Sequence, residues 1–400
     1  MSAPRLTLLC LASYFKGNRF LQRAKEEGAS VLLLTVEHML QEPWARDSVD
    51  EVFALPSFDD RQALLNAVAY LLRSRRIDRV VALDDFDVEV AALLREHFRW
   101  PGHGETRARL FRDKLAMRAR AKELSIRQPA FTALFRDDDV ARFVDEVEGP
   151  WLLKPRFQAS AVGIQKLSSR EEAWQAIADL GDERSFHLLE RMIPGDMYHV
   201  DSLTVGGRIL FAEVNKYHRP LLEVAQGGGI YATRTLPRED PLIGALKGAN
   251  TAVLDGFGIG RGASHTEVIV SADDGEPYFV ETSSRVGGAH IAEMVEAATG
   301  LNLWSEWAKL EVVGDDGDYV LPTPRADYGG VIISLARQER PDTSGFDDPE
   351  IVERLDMKHH IGLVVRSSSA ERVEALLTSY RERIERDFHA VLPPSDRPSS

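Results

Sequence analysis

The chain has 400 residues, 44% of them apolar and 28% charged, and 63 Asp and Glu against 49 Lys and Arg leave a net charge of -14. Such a composition fits a globular protein of about two or three domains and excludes collagen-like, coiled-coil and largely disordered chains, while the acidic balance argues against nucleic acid as the main partner. The single Cys, Cys10, rules out a disulfide framework or a four-cysteine metal site and fits a reducing, cytoplasmic setting.

The first hundred residues alternate strand and helix signals. Leu6–Ala12 is an apolar run far shorter than the ~20 residues of a membrane span. It lacks a small-residue cleavage site and reads as a core strand, with Cys10 structural, so neither a signal peptide nor a membrane partner is expected. Arg19–Glu27 follows as a short helix closed by Gly28, then the strand Ser30–Val36, the strand Val52–Leu55, the helix Arg61–Arg73, the strand Val80–Asp84 and the helix Asp87–Phe98. Apolar strands alternating with helices predict a doubly wound parallel sheet over residues 1–105. No G-x-G-x-x-G follows the first strand, so a dinucleotide site has little support. The cluster Gly256, Gly258, Gly260 and Gly262 follows the helical run Pro241–Leu254 and reads as a helix exit.

From Leu110 the pattern becomes α+β. Helices are expected at Phe111–Leu124, Asp137–Glu146 and Arg170–Leu180. Strands are expected at Trp151–Lys154, Ile164–Leu167, Phe186–Glu190, Met197–Val205 and Ile209–Asn215. Gln226–Gly229 reads as a flexible loop, a candidate substrate lid. Gly330–Ala336, Ile361–Arg366 and the helix Ala370–Phe388 form a last two-layer piece, and the Pro/Ser-rich tail from Pro393 is expected to fray.

The most informative segment is Ser264–Gly288. Two β-prone runs, Thr266–Val270 and Tyr278–Thr282, flank the polar turn Ser271–Pro277. A hairpin symmetric about Asp274 sets Glu267 directly opposite Glu281, with Val268, Val270, Tyr278 and Val280 alternating around them. Like charges facing each other repel, so this register calls for a cation or for solvent between them. Oxygen ligands without His or Cys clustering point to a hard ion such as Mg2+ shared with phosphate. Ser283 can add a hydroxyl, and Arg285, at the next same-face position, a phosphate-gripping guanidinium. A solvated hairpin with two surface glutamates is the plain alternative.

Lys154 closes an apolar strand before the small-residue loop 158–163, where backbone N–H groups could approach phosphate; Lys114, after Asp113, is a second phosphate-lysine candidate. Singly, each is an ordinary surface lysine. Leu188–Asp196 is an apolar strand and turn that would suit an adenine ring, with Glu190 or Asp196 in reach of its polar edge. His199, His265 and His290 lie near these segments as possible bases.

Taken in order, these pieces resemble the ATP-grasp superfamily, specifically its carboxylate–amine ligase branch, over nearly the whole chain. The likeness runs through Asp113-Lys114, Lys154-Pro155-Arg156, Glu190–Ile193, Gly195-Asp196, Glu267 and Glu281-Thr282-Ser283-Ser284-Arg285-Val286-Gly287-Gly288. It implies a two-lobed central domain over 106–315, with a small lobe at about 110–190 and a large lobe at about 191–315, followed by a C-terminal α+β subdomain at 316–400. ATP would lie between the lobes. Lys114 and Lys154 would contact its phosphates, the loop around Ser160 would fold over them, and Glu190, Arg191, Met192 and Ile193 would edge the adenine, with Glu190 accepting from its amino group. Asp196 is the nearest match to the ribose-binding acid. Glu267, Glu281 and Ser283 match Mg2+ ligands (Mn2+ being an alternative ion), and Arg285 and Lys154 the groups facing the transferred phosphoryl. Ser283 departs from the Asn usual in E-x-N-x-R, which puts the second metal site in doubt, and Gln158 and Ala159 replace frequent glycines, which implies a stiffer loop.

The resemblance implies an ADP-forming ligase joining a small carboxylate to an amine, amino acids among the candidates, with a homodimer possible. Two other readings stand beside it. One is a bicarbonate-activating enzyme like biotin carboxylase, although Met357-Lys358-His359 lacks the second Met of a biotinyl lysine. The other is a nucleotide-binding regulatory protein with a degenerate metal site.

Overall fold

A computed structural model of the protein describes residues 5–314 and 317–391, without the side chains of 225–227; the tail expected to fray from Pro393 lies outside the described residues. The first domain is built on β1 (Thr7–Ala12), β2 (Ser30–Val36), β3 (Glu51–Leu55) and β4 (Arg79–Ala82), all parallel, in the order β3-β2-β1-β4. Both faces of this sheet are covered, so its strands need apolar residues at successive positions, and Leu8 to Ala12 are completely buried. Cys10 is a core side chain there, its thiol pushed up by burial. The chain order reverses between β1 and β4, and the C-terminal ends of these strands open a crevice where such sheets bind ligands. Asp84, Asp85 and Asp87 follow β4 at that end.

The second sheet contains β5 (Phe131–Ala133), β6 (Trp151–Pro155), β7 (Gln165–Leu167) and β8 (His187–Arg191), antiparallel in the order β5-β8-β6-β7. Helices Asp137–Glu146 and Arg170–Leu180 cover one face, and Val140, Phe143, Trp151, Leu153, Ile177 and Leu189 make its own core.

The third sheet has eight strands: β9 (Gly195–Val205), β10 (Arg208–Tyr217), β11 (Tyr231–Thr235), β12 (Gly262–Ser271), β13 (Pro277–Ser283), β14 (Tyr328–Leu335), β15 (Ile351–Arg354) and β16 (His360–Ser367). Their order is β13-β12-β9-β10-β11-β14-β16-β15. The last three strands therefore continue the sheet of the large lobe through the β11–β14 pairing, rather than building a layer of their own. Helix Ala370–Asp387 packs on them, with Leu377 and Tyr380 in a common core with Ile332 and Leu363.

Helices Ile291–Thr299 and Leu303–Val313 join the first domain to this sheet. Leu8, Cys10 and Phe20 share one apolar core with Met294, Trp307, Leu203 and Ala263. The helix expected from Phe111 begins at Lys114, because Arg109–Phe111 is a tighter 3-10 turn and Asp113 caps the helix by accepting from the backbone N–H of Leu115. This helix packs with the large lobe, Met117 and Ala121 meeting Val253, Phe257 and Phe279. The loop expected at Gln226–Gly229 is in part helical, since Gln226 and Gly227 close the helix Leu221–Gly227 and Gly228 caps it at φ +62°.

Candidate active site

A cavity of about 720 Å3 separates the second sheet from the third. Its floor draws on six neighbouring strands of the third sheet: Val280 and Glu281 on β13, His265, Glu267 and Ile269 on β12, Met197 on β9, Tyr217 on β10, Tyr231 on β11, and Ile333 and Leu335 on β14. Five interstrand gaps at ~4.8 Å make that floor roughly 24 Å wide. Its roof is formed by Lys154, the loop 158–162 and residues 190–193.

The hairpin forms the expected pair. Glu267 faces Glu281 across β12 and β13, with His265 opposite Ser283. Beyond the pair the register slips by one, so that Val268 faces Phe279 and Ile269 faces Tyr278. A bulge at Val280 takes up the extra residue, which lets Val280 and Glu281 both line the cleft while Phe279 turns into the core. The strict alternation expected for Val268, Val270, Tyr278 and Val280 therefore fails, although the carboxylate pairing holds.

Glu281 Oε2 lies 2.8 Å from Lys114 Nζ, which also donates to the backbone carbonyl of Gln158 at 2.6 Å. Burial pushes the Glu281 carboxyl up, but Lys114 and Lys154 outweigh it and hold the group below the usual carboxylate range. Glu267 Oε1 accepts from the Tyr217 hydroxyl at 2.9 Å and lies 3.4 Å from His265 Nε2.

Behind Glu267, His265 Nδ1 donates to Asp201 Oδ1 at 2.8 Å, and His199 Nδ1 donates to Asp201 Oδ2 at 2.6 Å. Burial works against charge on His265, but Asp201 and Glu267 prevail and push its pKa up to about 9. His199, completely buried, is shifted the other way, burial outweighing the pull of Asp201.

Lys154 makes an ion pair with Glu190, whose other oxygen lies 3.0 Å from Arg118. All three are nearly inaccessible to solvent. Burial raises the Glu190 carboxyl, and the two cations overcome this and hold it low. Glu190 thus lines the cleft with both oxygens held by cations, a different arrangement from the free adenine acceptor expected of it. Sequence reading passed over Arg118, although its place four residues after Lys114 on one helix is a usable signal of a shared face.

Arg285 reaches the cleft, but its guanidinium pairs with Asp85 of the first domain and donates to its own chain at Val286 O, 2.8 Å. Arg285 and the cations Arg112 and Lys16 offset the cost of burying Asp85 and hold it well below its usual range. Ser160 and Ala161 take left-handed backbone conformations at φ +55° and +58°, which crowds a side chain; the small residues keep that crowding low.

Lys114, Lys154, Ser160, Glu190, Arg191, Met192, Ile193, Glu267, Glu281, Ser283 and Arg285 all border the one cavity. Asp196 does not: its side chain pairs with Lys216 at 2.6 Å beside a separate cavity of about 180 Å3. On β9, Asp196 and Met197 point to opposite sides, and it is Met197 that faces the cleft. His290 is turned toward Glu293 and lies outside the lining. No helix among the described residues is long and apolar enough to cross a membrane.

Comparison with known proteins agrees with this architecture. Residues 21–102 match the ATP-grasp N-terminal domain family. An L-arginine-specific L-amino acid ligase of Bacillus subtilis is 24% identical over 310 residues, covering 76% of this chain and 74% of that protein. Among solved structures, an L-amino acid ligase from Bacillus licheniformis superposes with a TM-score of 0.76 at 15% identity, covering 98% of this chain and 100% of its own. A carboxyaminoimidazole ribonucleotide synthase from Aspergillus clavatus, solved with ATP, gives 0.74 at 14% identity over 95% and 99%. Over its described residues the chain has the fold of these structures. Its N-terminal residues match an ATP-grasp domain family, and the chain as a whole is similar to L-amino acid ligases.

Proposed function

We propose that this protein joins two small molecules, one of them an amino acid, by transferring the γ-phosphoryl group of ATP to a carboxylate and passing the resulting acyl group to an amine. A carboxylate is a poor electrophile in water. As a mixed anhydride with phosphate it is not: the amine nitrogen attacks the acyl carbon, the bond to the phosphate oxygen breaks, and ADP, phosphate and an amide remain. Such chemistry needs positioning and charge neutralisation more than a protein nucleophile.

What carries the reading is that Lys114, Lys154, Arg191 and Arg285 and two opposed carboxylates border one 720 Å3 cleft. Lys114 and Lys154 would hold phosphate oxygens, and the backbone of loop 158–163 would lie over them. Met192 and Ile193 would edge the adenine against Met197, Ile269 and Val280. Glu190 would act on the nucleotide through Lys154, which it orients.

Glu267, Glu281 and Ser283 fit Mg2+: the donor set is all oxygen, and its two carboxylates face each other across the hairpin. When bound there, Mg2+ supplies charge neutralisation on the phosphates. Arg285 would exchange Asp85 for the transferring phosphoryl, and the 285–288 turn would hold the acyl oxygen. In this reading residues 1–105 carry part of the acceptor site at the β1–β4 crevice, 106–315 hold the nucleotide between two lobes, and 316–400 extend the large lobe.

The test is incubation with ATP, Mg2+ and a mixed amino-acid pool, followed by mass spectrometry of the products and by ADP measurement. The expected outcome is ADP and phosphate in equal amounts with a product whose mass is the sum of two components less one water. ADP release driven by bicarbonate alone would favour the biotin-carboxylase-like reading. Tight ATP binding without turnover on any acceptor would favour the regulatory one.

A further inference from the structure

We propose that the buried polar side chains of β12, β9, β10 and β11 form a positioning ladder that fixes the cleft carboxylate of Glu267 and the height of the 285–288 turn. This rests on Glu267 being a metal ligand in the reading above. Strand pairing puts the members side by side: His265 opposite Asp201, Glu267 opposite His199, Asn215 opposite His199, and Tyr217 opposite Thr233. Four adjacent strands thus carry one polar row on the face that floors the cleft.

The contacts run in one direction, toward Glu267. Thr233 Oγ1 meets His199 Nε2 at 2.8 Å, His199 and His265 donate to the two oxygens of Asp201, and Asn215 Nδ2 donates to Asp201 Oδ2 at 2.9 Å. At the near end, Tyr217 and His265 both converge on Oε1 of Glu267. A free glutamate samples many rotamers and would lose that freedom on taking up a metal. Here one oxygen is fixed beforehand, which presents the other to the cleft.

His199, Asp201 and His265 also place three ligand-type atoms within 4.8 Å of one another. Their geometry is that of hydrogen bonds: both Asp201 oxygens are taken by ring N–H groups, so the trio acts as second-layer support rather than as a metal site.

The turn carrying Arg285 rests on the same row. A Cβ on Gly287 would come within 2.9 Å of His265 Nδ1 and 3.0 Å of Asp201 Oδ1, closer than side chains tolerate. Only a glycine lets that turn sit on the Asp201–His265 bond, so the metal-side carboxylate and the arginine turn share one foundation.

The experiment compares wild type with Tyr217→Phe, Asp201→Asn and Gly287→Ala. Mn2+ binding to the ADP complex is followed by electron paramagnetic resonance, and turnover is titrated with Mg2+ at saturating ATP. Tyr217→Phe removes a single hydroxyl and keeps the ring, so it is the variant that stays folded if Asp201→Asn does not. The expectation is a tenfold or larger rise in the Mn2+ dissociation constant and in half-saturating Mg2+, with kcat at saturating Mg2+ falling less than tenfold and metal-free ADP binding unchanged. Tyr217→Phe with Mn2+ affinity within twofold of wild type overturns the ladder. Wild type showing no Mn2+ uptake with ADP overturns instead the assignment of Glu267 as a ligand.

Discussion

Two charge clusters face each other across the cleft, and they are built on opposite plans. On the roof, Glu190 is held between Lys154 and Arg118, all three buried, with cations in the majority. On the floor, Glu267 and Glu281 stand opposite each other with Asp201 behind them, against Lys114 and His265, and acids are in the majority. The roof cluster is electrostatically complete and can afford a low dielectric around it. On the proposed reading the floor cluster would gain further positive charge from outside. On that reading one is built to stay as it is, the other to receive a cation.

That contrast can be broken at either side. Glu281→Gln removes a floor charge without changing shape, and should lower kcat by at least about 10^3-fold, roughly 4 kcal/mol of transition-state stabilisation. Its circular dichroism and melting temperature should stay near wild type; a folded variant with near-normal ADP formation removes Glu281 from the site. Arg118→Ala acts on the roof and should appear as stability: leaving Glu190 with one partner in a buried pair is expected to cost about 3–5 kcal/mol in denaturant unfolding. A loss below about 1 kcal/mol would mean that solvent reaches the cluster.

A third variant asks whether the first domain, which reaches the floor through Asp85, carries a strain of its own. Burial, and next the Asp84 carboxylate, push Asp87 up to about 7. An acid whose folded pKa is raised loses stability as pH climbs from about 4 through about 7, because the folded state resists ionisation. Asp87→Asn should therefore melt near wild type at pH 4.5 and above it at pH 8; equal melting temperatures at both pH values would show Asp87 ionised throughout. The smallest effect is expected of Ser283→Asn, which adds an amide oxygen at the floor and should hold activity or raise it up to about threefold. A tenfold fall would mean that the hydroxyl itself is required.

How much of this was legible in the sequence depends on the range of the interactions. The parallel sheet showed itself because strands covered on both faces must be apolar in unbroken runs, as at Leu8–Ala12. The carboxylate pair showed itself because a hairpin's register is fixed by its turn, so Glu267 and Glu281 could be paired by counting from Asp274. The bulge at Val280 could not, since counting assumes one residue against one. Asp85 and Arg285 meet across the interface between the first domain and the core, and nothing local to either segment announces the other. Asp196 was misplaced by a local rule: strand alternation makes adjacent residues point apart, and the choice of Met197 for the cleft was made by the sheet's packing. The short strands β5 and β15 carry too few residues to show a period at all.

The second sheet, finally, has its own apolar core and is continuous with the rest of the chain through two short segments, 124–130 and 192–194, with the Arg118–Glu190 and Arg156–Asp113 pairs beside them. On the reading proposed above, the nucleotide would sit in a site hinged like a jaw. Rotations in those few peptide units would then lift the upper half from the lower without melting either, so that admitting a triphosphate and discharging a diphosphate would not disturb the slab on which the proposed reaction is set out.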